Sequence, residues 1–371
     1  MDCRIPFFSF EKINQDIQGD LETAFHSVID SKWYILGNCL QSFENKFAQY
    51  INVKHAIGVG NGMDALRISL EALDLKPDDE IIIPSFTFIA TLLAVIHSGA
   101  KPVLADVNPD NCVLDADSIN RSITLKTKVI LPVHLYGYPC NMKEIKEMAA
   151  SLDIYVIEDY AQSVGAEVGG LKTGSFGQIN ATSFYPTKTL GALGDGGMIT
   201  TNNGFLADRC RKLRNYGFED KIHHKLIGYN SRLDELQAAL LTSKMKYLDK
   251  WIDERKSIAL NYLDKLNELP GLILPSYSED TRPSYHIFPV RMKNRDALKE
   301  YLWDAGIGTM VHYSILPHLQ DSMKHLGYGI NSFPVAEEIA RTELSLPIYP
   351  GLTDADIGYI ASKIKEFFRS N

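Results

Sequence analysis

No stretch of this chain approaches the roughly 18 consecutive apolar residues that a membrane span requires, and the start, Met1 to Pro6, carries no apolar secretion segment. A protein that does not cross a membrane is therefore expected. Cysteine is scarce. The five residues Cys3, Cys39, Cys112, Cys140 and Cys210 are odd in number, scattered, and without a Cys-x-x-Cys pair. That pattern reads as reduced thiols in a cytoplasmic protein rather than a disulfide framework. Positive charge is in deficit, with 38 Lys and Arg against 46 Asp and Glu and a formal net charge of −8. Nucleic acid or an anionic membrane surface is accordingly not expected as the main partner. There is no internal repeat, no low-complexity tract, and neither a Gly-x-Gly-x-x-Gly turn nor a Walker sequence, so a dinucleotide or ATP site is not expected. The acidic pair Glu158 and Asp159 has no His or Cys ligand spacing around it, and no metal site is predicted.

What is present is the composition of an ordinary globular protein. Of 371 residues, 45% are hydrophobic and 23% charged, enough for a sizeable core and for two or three domains. Residues 1–55 are polar and helix-compatible, broken by the phrase Trp33 to Gly37. Those aromatics are expected to plug a core, with a site or subunit contact as the other reading. Short apolar runs then alternate with helical stretches. Strands are predicted at His55 to Gly60, Glu80 to Ser85, Pro102 to Asp106, Val129 to Tyr136 and Ile154 to Glu158, with helices from Gly62 to Leu73 and from Phe88 through Ile96. This predicts an α/β fold with a mainly parallel sheet covered on both faces. Ligands of such sheets gather beyond the carboxyl ends of the strands. Phe88, His134, Asp159 and Gln162 all fall at or just past those ends. From Ser231 to about Leu269 the pattern is helical, and a smaller α/β region follows Pro270. It includes Tyr285 to Arg291, a helix near Ala297 to Ala305 and a closing helix from Asp354. The expected division is a large domain, 1–250, and a small one, 251–371.

The stretch from Ala181 to Met198 carries the chemistry. A β-prone run stops at Pro186, a single Lys188 follows, and then come Gly191, Gly194, Gly196 and Gly197 with almost no charge around them. Glycine lets a bulky planar group approach the backbone. A lone lysine in such a setting is readily desolvated, which lowers its pKa and frees the amine for Schiff-base chemistry. Upstream, the strand ending at Gly60 leads through Gly62, Met63 and Asp64 into a helix, an arrangement whose free N–H groups suit a phosphate. One cofactor uses an isolated lysine, a phosphate cradle, a buried carboxylate and an aromatic face together, and that is pyridoxal 5′-phosphate. Lys188 would carry it as a Schiff base, Asp159 would pair with its pyridine nitrogen, Phe88 would stack on its ring, and Gly62, Met63, Asp64 and Ser183 would hold its phosphate. The pair His223 and His224 reads as solvated loop.

Several stretches together resemble the DegT/StrS family, the nucleotide-sugar aminotransferases of fold type I: Gly60 to Leu66, Glu158 to Gln162, Ser183 to Lys188, Gly194 to Gly197 and Gly228 to Ala239. The resemblance spans nearly the whole chain. It implies a homodimer with active sites at the subunit interface, Asn230 reaching the phosphate of the other subunit's cofactor, and Gln162 on the 3-hydroxyl side of the ring. It also implies L-glutamate as amino donor and an amine freed at Lys188 that moves the donor's α-proton. Dehydratases of the family have histidine at the lysine position, so Lys188 favours transamination. The chain departs from the family where Gly62-Met63 replaces the usual Gly-Thr, leaving backbone N–H groups to serve the phosphate, and where Thr189 replaces asparagine.

The segment His312 to Gln320 is similar to that of members that aminate carbon 3 of dTDP-linked 3-keto-6-deoxyhexoses, with Ser314 in place of a proline. The implied product is a dTDP-3-amino-3,6-dideoxyhexose. His312, Tyr313 and His318 offer donors to sugar hydroxyls and a diphosphate, or else cap turns or pack at the dimer interface. Tyr185 is taken with them as a substrate contact. The alternatives are amination at carbon 4 of a nucleotide 4-keto-6-deoxy sugar, different chemistry on the sugar such as dehydration, and a non-catalytic regulatory member.

Overall fold

The fold is described from a computed structural model, over residues 4–220 and 222–370; Cys3 lies outside the described residues. Two helices, α1 (Glu11–Ser31) and α2 (Asn38–Ile51), precede strand β1 (His55–Val59). Then follow α3 (Gly62–Ala72), β2 (Glu80–Pro84), α4 (Ile89–His97), β3 (Lys101–Ala105), α5 (Ala116–Ser122), β4 (Thr127–Ile130), α6 (Met142–Ser151) and β5 (Tyr155–Asp159). A short hairpin, β6 (Glu167–Val168) and β7 (Leu171–Lys172), leads to β8 (Ile179–Ser183), β9 (Gly197–Thr201) and α7 (Gly204–Leu213). The rest comprises α8 (Glu235–Met245), α9 (Leu248–Leu266), β10 (Thr281–Arg282), β11 (Phe288–Arg291), α10 (Arg295–Asp304), α11 (Pro334–Thr342), β12 (Glu343–Leu346) and α12 (Asp354–Ser370).

Seven strands form the main sheet in the order β1-β9-β8-β5-β4-β2-β3. β3, β2, β4, β5 and β8 run parallel, whereas β9 is antiparallel to both β8 and β1. The sheet is thus mainly parallel. Its central strands have apolar, buried middles, as β2 has in Ile81, Ile82 and Ile83, all fully buried, because helices cover both faces. A separate antiparallel pair, β11 and β12, belongs to the C-terminal part. Among the described residues no helix is long and apolar enough to cross a membrane.

Two local expectations need correction. The strand predicted to Tyr136 ends at Ile130, because Pro132 has no N–H for the ladder and Tyr136 takes φ 60°. The chain there still touches β5: Asp159 N–H donates to Pro132 O and His134 N–H donates to Asp159 O. The aromatics after α1 plug no core. Trp33 is 58% and Tyr34 56% exposed, and the Trp33 indole N–H merely donates to Ile35 O. What anchors that segment is Glu235, fully buried at the start of α8, whose carboxylate accepts the N–H groups of Gly37, Cys39 and Leu40. It caps α2 from a distant part of the chain, satisfying donors a helix start leaves open and placing negative charge where the helix dipole favours it. The 231–269 stretch is two helices, broken at Lys246 and Tyr247.

Glu235→Ala should therefore unpin α2. Leaving those donors without their acceptor should lower unfolding stability by about 2–4 kcal/mol. Chemical denaturation at fixed protein concentration measures this, and an unchanged midpoint would show the cap to be dispensable.

Candidate active site

A cavity of about 380 Å³ opens beyond the carboxyl ends of β1, β2, β4, β5 and β8, and is lined from each by Asn61, Phe88, Val133, Asp159 and Ser183. Lys188 enters it from the turn after β8. No hydrogen bond or ion pair holds Lys188 Nζ among the described residues, and burial pushes its pKa down to about 8, opposed by the charge of Asp159. Asp159 ends β5 and is buried. Thr91 on α4 donates to its Oδ2 at 2.9 Å and Ala161 N–H to its Oδ1 at 3.2 Å. Burial raises its pKa; the bonds from Thr91 and Ala161 and the Lys188 charge oppose that.

The far end of the cavity is the start of α3. Its N-cap Asn61 accepts the Asp64 N–H at 2.8 Å, and Asp64 sends its carboxylate to Ser231 Oγ, 2.6 Å, and Asn61 Nδ2, 3.1 Å. Asp64 is thus turned out of the cavity, and the N–H groups of Gly62 and Met63 have no partner among the described residues. This corrects the expectation for Asp64: with both its N–H and its carboxylate engaged, it shapes the turn instead of lining the site. Gly62 is required by close approach, since a Cβ there would sit 2.5 Å from that of Ser183.

Gln162 is held by its amide. Tyr136 N–H donates to Oε1 at 2.6 Å, and Nε2 donates to the Tyr313 hydroxyl at 3.1 Å. The Tyr313 ring lies 5.7 Å from that of Phe88, which is half-exposed at the cavity wall. His312 and Tyr185 line the same space. Two predicted residues do not. His318 is buried against Phe333 with Nε2 3.7 Å from Glu337, so packing encloses it and it does not line the cavity. Asn230 is exposed and lies outside the cavity of its own chain. His134, placed at a strand end by the sequence, serves the scaffold: Cys140 N–H donates to its Nδ1, leaving Nε2–H to donate to Glu158 at 3.0 Å. His223 and His224 are exposed in their loop.

Sequence reasoning missed Thr91, Asn61, Asp195 and His286, all cavity residues. Asn61 carried a signal, an Asn three residues before an Asp at a helix start. Thr91 carried a weaker one, one turn into the helix that follows Phe88. His286 carried none. It comes from the C-terminal part, its Nδ1 is buried without a partner, and burial holds its pKa far below the ordinary histidine value.

An amine of lowered basicity beside a buried carboxylate, without a partner among the described residues, and helix-start N–H groups lining the same cavity make a site for amine chemistry on a carbonyl compound bearing an anionic group. The chain belongs to the DegT/DnrJ/EryC1/StrS aminotransferase family, which it matches over residues 15–365. It is 42% identical over 363 residues to the dTDP-3-amino-3,6-dideoxy-alpha-D-galactopyranose transaminase of Aneurinibacillus thermoaerophilus, covering 98% of this chain and 99% of that one. Among solved structures it is similar to S. venezuelae DesV in complex with a ketimine intermediate, with TM-score 0.96, 41% identity and 98% of each chain covered. It is also similar to NtdA of Bacillus subtilis with bound cofactor PMP, with TM-score 0.91, 32% identity, and 100% of this chain and 86% of that one covered.

The lowered basicity of Lys188 can be read directly. In ligand-free protein, modification of Lys188 by a small amine-selective reagent should be half-complete near pH 8, while lysines of ordinary pKa need higher pH. Asp159→Asn removes the charge that supports the ammonium, so the midpoint should move lower still. Peptide mass spectrometry across a pH series reports both, and a Lys188 midpoint near that of ordinary lysines would contradict the site's electrostatics.

Proposed function

We propose that the cavity holds pyridoxal 5′-phosphate and transfers the amino group of L-glutamate to carbon 3 of a dTDP-3-keto-6-deoxyhexose. The observation that carries this is Lys188, a half-buried amine of lowered basicity with no partner among the described residues, next to the buried carboxylate of Asp159. The residues fit the cofactor. Gly62 and Met63 N–H groups with Ser183 would take the phosphate, Asp159 would pair with the pyridine nitrogen, Phe88 would cover the ring, Gln162 would lie on its 3-hydroxyl side, and Lys188 would bind its aldehyde carbon. When bound, pyridoxal phosphate supplies an electron sink for the charge left as a proton departs from the donor's α-carbon. Lys188 Nζ is the base that accepts that α-proton, and a pKa near 8 keeps a useful fraction neutral. Asp159, held by Thr91 and Ala161, would face the ring nitrogen and balance its positive charge. Tyr185, His312 and Tyr313 would contact the sugar nucleotide.

The similarity to the A. thermoaerophilus transaminase supports carbon 3 and the dTDP-linked sugar. The division into domains 1–250 and 251–371 is supported by the main sheet, which falls in the first, and by the β11 and β12 pair, which falls in the second; α9 crosses the line, and β10 of the second pairs with β6 of the first. We infer further that the protein is a cytoplasmic homodimer with Asn230 serving the neighbouring subunit's phosphate, which its exposure permits.

Incubation with glutamate and the dTDP-3-keto sugar should yield the 3-amino product, located by NMR; nitrogen at carbon 4 would overturn the substrate assignment and leave the transaminase standing. Lys188→Ala should abolish turnover, and borohydride should fix the cofactor to Lys188 of the unmodified protein. A label on another lysine would refute the role. Asp159→Asn should cost about 3–5 kcal/mol, a slowing of roughly 10²- to 10⁴-fold with cofactor still bound.

Mixed dimers test Asn230. If Lys188→Ala and an inactive Asn230 variant exchange subunits, one site in each heterodimer is free of both changes and activity should partly return. No recovery under demonstrated exchange would place Asn230 elsewhere.

A further inference from the structure

Glu343 opens β12 fully buried, and Ser345, two residues on, shares its face of the strand. Ser345 Oγ donates to Glu343 Oε1, and His312 N–H donates to Glu343 Oε2 at 2.7 Å. His312 Nδ1 lies 2.9 Å from Ser345 Oγ. With the serine proton given to Glu343, Ser345 Oγ accepts from His312, so the imidazole proton sits on Nδ1. Nε2 then carries a lone pair, has no partner among the described residues, and belongs to a residue that lines the Lys188 cavity.

A proton arriving at Nε2 can go two ways. Holding it as an imidazolium is unfavourable, because burial and the Lys188 charge push that pKa down to about 4. The other way moves protons along the chain. Nε2 gains a proton, the Nδ1 proton passes to Ser345 Oγ, and the serine's own proton passes to Glu343 Oε1. One proton enters, no electron is transferred, the imidazole stays neutral, and the carboxylate becomes a carboxylic acid that still accepts the His312 N–H at Oε2. Burial lifts Glu343 to about 8 against the bonds from Ser345 and His312 and the charge of Arg295, so it suits this task near neutral pH. The groups packed around it leave it free to titrate. Arg295 on α10 donates to the Glu343 carbonyl, not its carboxylate. Arg291 stands opposite on β11 without an ion pair to it among the described residues. Tyr136, Tyr313 and Cys112 are all pushed upward by burial and stay neutral.

We propose that Glu343, acting through Ser345 and His312, is the proton store of this cavity, receiving the proton that a donor ammonium must lose before its nitrogen can attack a carbonyl carbon. That use rests on the transaminase reading; the relay does not. Nitrogen-15 NMR of the full-length protein labelled at histidine tests it, with the His312 signals identified by their loss in His312→Asn. As pH falls through about 8, Nε2 should change from acceptor to N–H and Nδ1 the reverse, with no imidazolium. Glu343→Gln should freeze one tautomer across roughly pH 6 to 10, and Ser345→Ala should do the same where the first variant folds poorly. A His312 that becomes imidazolium near pH 6 to 7, or whose tautomer ignores pH in the unmodified protein, overturns the relay. A tautomer switch without any transaminase activity would refute the functional reading instead, so the two failures are distinguishable.

Discussion

Glu158 is a fully buried carboxylate with four donors: His134 Nε2 at 3.0 Å, and the N–H groups of Gly174, Phe176 and Gly177 at 2.8, 2.6 and 3.0 Å. So complete a set is what makes a buried charge tolerable. Its consequence reaches the next residue. Successive side chains on a strand face opposite ways, so fixing Glu158 on one face of β5 fixes Asp159 on the other, at the strand's end, aimed into the cavity. The loop that Glu158 gathers, Gly174 to Gly177, also leads into β8, the strand that delivers Ser183 and then Lys188. Both members of the reactive pair therefore hang on the same anchored carboxylate. Asp159 itself is less fully satisfied, with Thr91 and Ala161 as its donors, and that leaves oxygen lone pairs for a cation from the cavity.

Much of this was legible in the sequence, because parallel strands and their ends leave local marks. The apolar run of β2, the glycine turn before α3 and the lone Lys188 in an uncharged stretch each reflect a constraint written within a few residues. What was hidden depends on partners far apart in the chain. Glu235 capping α2 and Glu343 bonding His312 look like ordinary acidic residues until the fold brings their donors together. His318 misled for the reverse reason. A histidine in a polar-looking loop offered donors, but Phe333 and Glu337 enclose it, and only the packing of α11 reveals that. Trp33 misled likewise, since a large aromatic suggests a core and this one is left on the surface.

The C-terminal part does more than close one side of the cavity. Arg255, buried on α9 without a carboxylate partner among the described residues, donates from Nη1 to the carbonyls of Tyr285, His286 and Ile348. Burial draws even its pKa down to about 10. It joins the bridging helix to the segment that delivers His286 and to the one that follows β12. Through β11 and β12 that same segment is in register with Glu343 and Ser345, which hold His312.

A single electrostatic rule then covers the cavity. Lys188, His286 and His312 are all bases pressed toward neutrality by desolvation, and each positive charge raised there makes the next more costly. Asp159 supplies a carboxylate beside Lys188, and the N–H groups of Gly62 and Met63 supply positive potential without a titratable group. A ligand with an anionic end and a cationic ring nitrogen satisfies both walls at once, leaving the neutral bases free to move protons. A ligand lacking the anionic end would leave the α3 donors unpaired and the bases unaffected, so the helix start and not the lysine decides how such a ligand is oriented. On the proposed reading, Lys188 would then act on whichever carbon that orientation brings to it.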